Sequence, residues 1–409
     1  MQLFQHQEVS RDFLLAKKRA ILADQPRVGK TLPTASAAAE HLPALIVCPA
    51  IAKTVWQRAF EAVNPDLKVT VVNGKKDAQS IKKCDVVVIN YDGVQHMSRT
   101  LFPKFQTLVL DESHRIKNAD AVRTRACMAA MQDIERVYAL SGTPIPNRPI
   151  ELWPLLHGLN IYRGEYYAFA TRYARMWKAP WGLDVSGASN LPELKALMQP
   201  HVLRRKKEDV FKDYSQPQVS LITFDLPVDK REQDFDVNAL AENPNALMAF
   251  DGLAEVMKEA GLRKVKPSAE FIENLLESED KVVVFVHHKD VAAQMTQALK
   301  KHKPVTITGD TPRKARDQRI QDFQTGKCRV IIGNISAMSE GVDLSAADTV
   351  VFVEATWQTS ALEQASSRIE NISKQSFRPL IYLLTIRASL DHNVLAKVLR
   401  KLNVIDQII

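Results

Sequence analysis

Three short clusters in this 409-residue chain carry residue types suited to handling a triphosphate. The first is Gly29-Lys30-Thr31, which follows the apolar run AILAD (20–24) and precedes an alanine-rich stretch that favours a helix. Strand, loop and helix in that order make a phosphate cradle. Backbone N–H groups at the helix N-terminus face the anion, a lysine neutralises the outer phosphates, and a hydroxyl ligates magnesium. Lys30 and Thr31 are expected in those two roles, with Asp24, Gln25, Pro26, Arg27, Val28 and Gly29 completing the loop. The fit to GxxxxGK[ST] fails at its first position, where Asp24 replaces glycine. A GKT tripeptide on a surface helix is the alternative reading of this cluster taken alone.

The second cluster is Asp111-Glu112-Ser113-His114, which ends the apolar run 107–110. A carboxylate at the carboxyl end of a buried strand can hold Mg²⁺, and its neighbour can orient or deprotonate an attacking water. Asp111 with Thr31 is the expected magnesium pair, and Asp111, Glu112 and Lys30 are expected catalytic groups. The third cluster, Ser141-Gly142-Thr143-Pro144, again follows a strand. Small hydroxyl residues there could sense the γ-phosphate; a plain strand-ending turn is the alternative.

These loops need a scaffold, and two stretches supply the same rhythm of β-branched runs separated by helical segments. The first contains ALIVCPA (44–50), KVTVVN (68–73), DVVVINY (85–91), TLVLDE (107–112) and RVYALSGT (136–143). The second contains KVVVFVHH (281–288), VTITGD (305–310), RVIIGN (329–334), TVVFVEA (349–355) and PLIYLLTI (379–386). Continuous apolar runs suit strands buried on both faces, and alternation with helices suggests parallel sheets. The fold class is therefore α/β, with two parallel-sheet domains and a cleft between them. The expected bounds are 1–155 for the first lobe, 156–275 for a helical connection with insertions, and 276–409 for the second lobe with a C-terminal helix packed back.

Composition narrows the setting. Hydrophobic residues make up 45% and charged residues 25%, ordinary for a globular chain with two or three domains. No apolar run approaches the roughly 20 residues of a membrane span, and no signal peptide is legible, so a cytoplasmic location is expected. Cys48, Cys84, Cys127 and Cys328 lie far apart with no CxxC pair, which predicts reduced thiols rather than zinc or disulfides. Net charge is +8, a mild pointer to a polyanionic partner. His287-His288 ends a strand without further ligands and is expected to be structural.

Taken in order, the motifs resemble superfamily 2 helicases, specifically the Swi2/Snf2 DNA translocases, almost end to end. ADQPRVGKT resembles motif I, VCPAIAKTVW motif Ia, VINYDGV (88–94) motif Ib, DESHRIKN (111–118) motif II and LSGTPIPNRPIELW (140–153) motif III. GNISAMSEGVDLSAADTVVFVEATW (333–357) resembles motif V, and QASSR (364–368) the start of motif VI. HVLRRKKEDV (201–210) resembles the basic segment that crosses between the lobes, and RYARMWKAPWGLDVSGASNLPELKALM (172–198) resembles the annealing-helicase branch. The resemblance implies two RecA-like lobes, ATP and Mg²⁺, and a minimal form of bacteriophage or bacterial type. It implies an adenine-reading role for Gln7, nucleotide contacts for Gly341 and Asp343, and an arginine, Arg368, reaching ATP from the second lobe. His114, Ser141, Gly142, Thr143 and Gln364 would couple nucleotide state to DNA. The family's second motif VI arginine is replaced by Asn371, and Lys374 is three residues out of register. An arginine finger can contribute about 10³–10⁵ in rate, so this replacement predicts slow hydrolysis or service by another arginine.

The same resemblance implies a double-stranded or forked DNA partner held by phosphate contacts, with the protein acting as a monomer. Lys53, Trp56, Tyr91, Arg115, Lys117, Arg204, Arg205 and Arg313 are the candidate contacts, with Lys206, Lys207, Lys314 and Arg316 beside them. For each, a solvated surface charge is the alternative. Trp177 and Trp181, interleaved with Arg172, Arg175 and Lys178, either stack on unpaired bases or form the core of a small helical insertion. Three activities fit: an ATP-driven duplex DNA translocase that remodels forks, recombination intermediates or protein–DNA complexes; an ATP-gated DNA clamp with weak turnover, suggested by Asn371; or an RNA-unwinding DExH enzyme, disfavoured by LRRKKEDV and the tail of motif II.

Overall fold

The computed structural model describes residues 3–79, 81, 84–142, 148–179, 182–211, 217–235, 252–338, 342–354, 365–369, 379–393 and 395–396. They divide into two compact units, Met1–Val210 and Phe211–Val404.

The first unit is built on β1 (Arg19–Leu22), β2 (Ala44–Cys48), β3 (Val69–Val71), β4 (Val86–Asn90), β5 (Thr107–Asp111) and β6 (Arg136–Leu140). A hairpin follows, β7 (Trp177–Ala179) with β8 (Gly182–Asp184), and then the short strand β9 (Val202–Leu203). All but the hairpin form one sheet in the order β3-β4-β2-β5-β6-β1-β9, every pairing parallel. Apolar character runs unbroken along these strands because both faces are covered: Leu108 and Leu110 enter one core cluster and Val109 the other. Helices α1 (Gln5–Lys17), α2 (Thr31–Ala39) and α3 (Lys53–Val63) are the ones that matter for the site. In α2, Ala35, Ala37 and Ala38 have no exposed surface, and α2 packs between α1 and α3.

The strand order has a direct consequence. β5, β6 and β1 are neighbours, so the loops that follow them emerge side by side at the carboxyl ends of the strands, where ligands bind in open α/β sheets.

The second unit repeats the architecture with β10 (Gln218–Phe224), β11 (Val282–Val286), β12 (Val305–Ile307), β13 (Val330–Asn334), β14 (Thr349–Phe352) and β15 (Leu380–Ile386). Their order is β10-β15-β14-β11-β13-β12, again all parallel. The 26-residue helix Leu253–Ser278 covers this sheet through Ile272, Leu276 and neighbours.

The region expected as a separate helical connection, 156–275, does not stand apart. Leu156, Leu159, Phe169, Tyr173, Leu194 and Met198 join the first core, and β9 extends the first sheet. β10 and the helix Leu253–Ser278 belong to the second sheet and its core. Two residues are too few to show a strand period, and QVSLITF pairs on one edge only, which blurred the pattern. Within the insertion at 172–198, Trp177 is not a core residue: it lies in the β7–β8 hairpin and is 54% exposed, while Leu194 and Met198 of the helix that follows are buried. Trp181 and residues 397–409, where most of the C-terminal helix was expected, lie outside the described residues. Cys48, Cys127 and Cys328 are buried free thiols and Cys84 is half-buried. Among the described residues no helix is long and apolar enough to cross a membrane.

Candidate nucleotide site

The loop between β1 and α2 is held in shape by its neighbours. Arg27 and Gly29 take left-handed backbone angles, with φ of 72° and 95°. A Cβ on Gly29 would lie 2.7 Å from Gln7 Nε2, so only glycine suits both the turn and the close approach. Gln7 is buried; its Nε2 donates to the Gly29 carbonyl at 3.2 Å, and its Oε1 accepts from the Phe4 N–H at 3.1 Å. The His6 ring lies 2.9 Å from the Val28 carbonyl. Helix α1 thus grips the loop from one side. Lys30 caps α2, and its ammonium donates to the carbonyls of Asp24 at 2.6 Å and Gln25 at 3.3 Å. Burial lowers the Lys30 pKa, opposed by the charges of Glu112, Asp24 and Asp111. Thr31 opens the helix directly behind it.

Asp111 is the last residue of β5, and the chain turns sharply after it: Glu112 sits in the left-handed region at φ 55°, ψ 53°. A non-glycine residue there costs on the order of 1–3 kcal/mol and is characteristic of functional turns. Asp111 is pushed up to about 7 by burial and by the adjacent Glu112 carboxylate, with the Trp56 hydrogen bond and Lys30 acting the other way. The Trp56 indole N–H donates to Asp111 Oδ2 at 2.8 Å, and the Tyr91 hydroxyl donates to the Asp111 carbonyl at 2.7 Å. Two neighbouring carboxylates beside one lysine form a donor set with the charge and hardness that a magnesium-bound phosphate requires.

The loop after β6 closes the group. His114 Nδ1 stands 3.1 Å from Ser141 Oγ and 3.4 Å from Glu112 Oε2, so the second and third clusters touch through His114. A Cβ on Gly142 would meet Pro26 at 2.9 Å, which places the third cluster directly against the phosphate-binding loop.

The segment 201–207 anchors the loop's other side. Ala23 N–H donates to the Leu203 carbonyl and Gln25 N–H to the Arg205 carbonyl, while the Lys207 N–H donates to Gln25 Oε1 at 2.9 Å. The Arg205 guanidinium clasps Asp24, which is 1% exposed, and also donates to the His6 carbonyl and Ser10 Oγ. Asp24 therefore replaces the motif's glycine because it is the buried partner of an arginine 181 residues away. Sequence reasoning placed Asp24 against ATP and Arg205 against DNA; the ion pair engages both elsewhere.

Three further DNA candidates are corrected in the same way. Lys53 is 5% exposed with its ammonium on the Val72 carbonyl, Trp56 is 0% exposed, and Tyr91 is 3% exposed. Their side chains point into lobe 1 and serve Asp111 or the core. The spacing of Lys53, Trp56 and Phe60 puts all three on the inner face of α3, a signal present in the sequence. Arg115 and Arg204 are half-buried, Lys117 lies 3.9 Å from Glu151, and Arg313 is exposed as the first residue of the helix Arg313–Gln324.

In the second unit, the Leu344 N–H donates to the Arg368 carbonyl at 3.1 Å, and Asp343 adjoins Leu344 on the surface, so the described parts of the fifth and sixth motifs meet. Gly341, Gln364, Thr143, Asn371 and Lys374 fall outside the described residues. The histidine pair is held by Glu354: its Oε2 accepts both backbone N–H groups, and its Oε1 lies 2.6 Å from His288 Nδ1.

Residues 6–236 match the SNF2-related domain and residues 267–372 the helicase conserved C-terminal domain. Over 95% of its length the chain is 30% identical to the SWI/SNF-related matrix-associated actin-dependent regulator of chromatin subfamily A-like protein 1 of Xenopus tropicalis, covering 43% of that protein. Over 94% of its length it is 29% identical to the DNA annealing helicase and endonuclease ZRANB3 of Mus musculus, covering 38%. The chain thus spans less than half of each relative. A solved structure, the Sulfolobus solfataricus SWI2/SNF2 ATPase core in complex with dsDNA, aligns with a TM-score of 0.49 at 21% identity, covering 96% of this chain and 89% of that one. With two parallel-sheet units and the motif loops assembled at the strand ends of the first, the chain belongs to the SNF2-related family of helicase-like ATPases.

Proposed function

We propose that the protein is a DNA-dependent ATPase that translocates on duplex DNA and remodels forks, recombination intermediates or protein–DNA complexes. The observation that carries this reading is the convergence of Lys30, Asp111 and Glu112 on the loops after β1 and β5, two strands separated only by β6, close enough for both carboxylates to act on the ammonium. Lys30 leaves the Asp24 and Gln25 carbonyls and neutralises the outer phosphates of ATP, while N–H groups at the start of α2 bind their oxygens. Thr31 and Asp111 would hold a magnesium ion, which would supply screening of the charge that builds on the phosphates. Glu112 orients the attacking water and accepts its proton as the terminal phosphoryl group leaves ADP. His114, between Glu112 and Ser141, relays the state of the site.

DNA tracking would rest on backbone phosphates, with Arg115, Lys117, Arg204 and Arg313 as the remaining contacts. The relatives' names, a chromatin regulator and a DNA annealing helicase, support DNA as the polymer. The test is phosphate release measured with duplex, forked and single-stranded DNA and with RNA, at one fixed salt concentration. Stimulation by duplex or forked DNA is expected. Hydrolysis indifferent to every DNA would overturn the reading, and stimulation by RNA alone would favour an RNA-unwinding enzyme.

A further inference from the structure

We infer that Trp56 is a positioning residue for the magnesium ligand Asp111, so that helix α3 sets how well lobe 1 holds a metal-bound nucleotide. The inference rests on the nucleotide reading above and goes beyond it by assigning a role to a residue that neither touches the nucleotide nor meets solvent.

Four observations converge. Trp56 is fully buried, yet its one polar atom is aimed at Asp111 Oδ2 at 2.8 Å. A buried indole N–H needs an acceptor, and here the acceptor is the carboxylate oxygen of the candidate metal ligand rather than a backbone carbonyl. Tyr91, the residue directly after β4, fixes the same residue from its backbone side at 2.7 Å. The indole ring is itself locked: it packs with Phe60, one turn along α3, with centroids 6.3 Å apart and in the core cluster that α1 and α2 share. A carboxylate held at its side chain by one element and at its carbonyl by another has little freedom to rotate. Outer partners of this kind orient a ligand before the metal arrives, and their loss typically costs about 10–100-fold in metal affinity or activity.

The experiment measures the Mg²⁺ concentration that half-saturates binding of a fluorescent ADP to the full chain, for wild type, Trp56→Phe, Tyr91→Phe and Phe60→Leu. Trp56→Phe keeps an aromatic ring but loses the N–H; Phe60→Leu disturbs the same helix and core without touching Asp111. We expect Trp56→Phe to raise the half-saturating Mg²⁺ by about tenfold, Tyr91→Phe to raise it less, and Phe60→Leu, which loosens the packing of the indole but keeps its N–H, to raise it least. The inference is overturned if Trp56→Phe shifts it no more than Phe60→Leu does. Should Trp56→Phe fail to fold, Tyr91→Phe decides: an unchanged Mg²⁺ dependence there removes the two-sided clamp. Wild-type binding that ignores Mg²⁺ altogether would instead sink the nucleotide reading on which the inference stands.

Discussion

Two carboxylates stand just past or at the ends of strands in one sheet, in opposite electrostatic settings. Asp24 follows β1 and Asp111 ends β5, with β6 between them. Asp24 is sealed from solvent and clasped by Arg205, whose remaining N–H groups tie in His6 and Ser10. Asp111 has a second carboxylate as its neighbour and is pushed up to about 7. The first acid is neutralised by the protein and shapes the loop. The second is left electrostatically costly by the protein, a cost that a bound divalent cation would relieve. Residues held at a disadvantage in the folded state are a mark of sites built for a ligand.

Substitutions should separate the two acids. The largest effect on stability is expected from Arg205→Ala, which leaves Asp24 buried without its cation. Breaking one side of such a pair typically costs about 3–5 kcal/mol, read as a fall in thermal midpoint; a change within a few tenths of a kcal/mol would show that the clasp is ornamental. Asp111→Asn should act in the opposite sense on stability. Because burial and Glu112 raise the Asp111 pKa in the folded state, the folded protein binds a proton that the unfolded chain releases near pH 4. Wild type therefore loses stability as pH rises from about 4 to about 7, and Asp111→Asn does not. Without Mg²⁺, the variant should be the more stable protein at pH 8 by on the order of 2–4 kcal/mol, and no more stable at pH 4. Equal stability at both pH values would place Asp111 with Asp24 as an ordinary satisfied acid. The smallest effect belongs to the surface: Arg313→Ala should weaken duplex DNA binding modestly and reduce the slope of log affinity against log salt by about 1, without altering either acid. An unchanged slope would remove Arg313 from the DNA contacts.

Much of this is legible in the sequence. The eleven apolar runs that open at Ala20, and that continue through 44–50 to 379–386, all contain strands, because strands buried on both faces leave no polar residues to blur the pattern. The neighbourhood of Lys30, Asp111, Glu112, His114 and Ser141 was also readable, since each follows or ends such a run. What stayed hidden was set by contacts distant in sequence. Asp24 read as a flaw in a phosphate loop because its partner lies in a basic run that looked like a DNA contact. Trp56 and Lys53 have the residue types of DNA contacts, and only their spacing with Phe60 marks them as the inner face of α3. β9 leaves no signal because a two-residue strand has no period, and the β7–β8 hairpin leaves little because Ala179 alone in its two strands is buried.

The central claim is that Lys30 grips the phosphates and Glu112 acts on the water. It is tested most directly by measuring fluorescent ATP binding and DNA-stimulated phosphate release side by side for wild type, Lys30→Ala and Glu112→Gln. The account predicts that Lys30→Ala loses both, and that Glu112→Gln keeps binding while its turnover falls by about 10²–10⁴. Turnover close to wild type in either variant would contradict it.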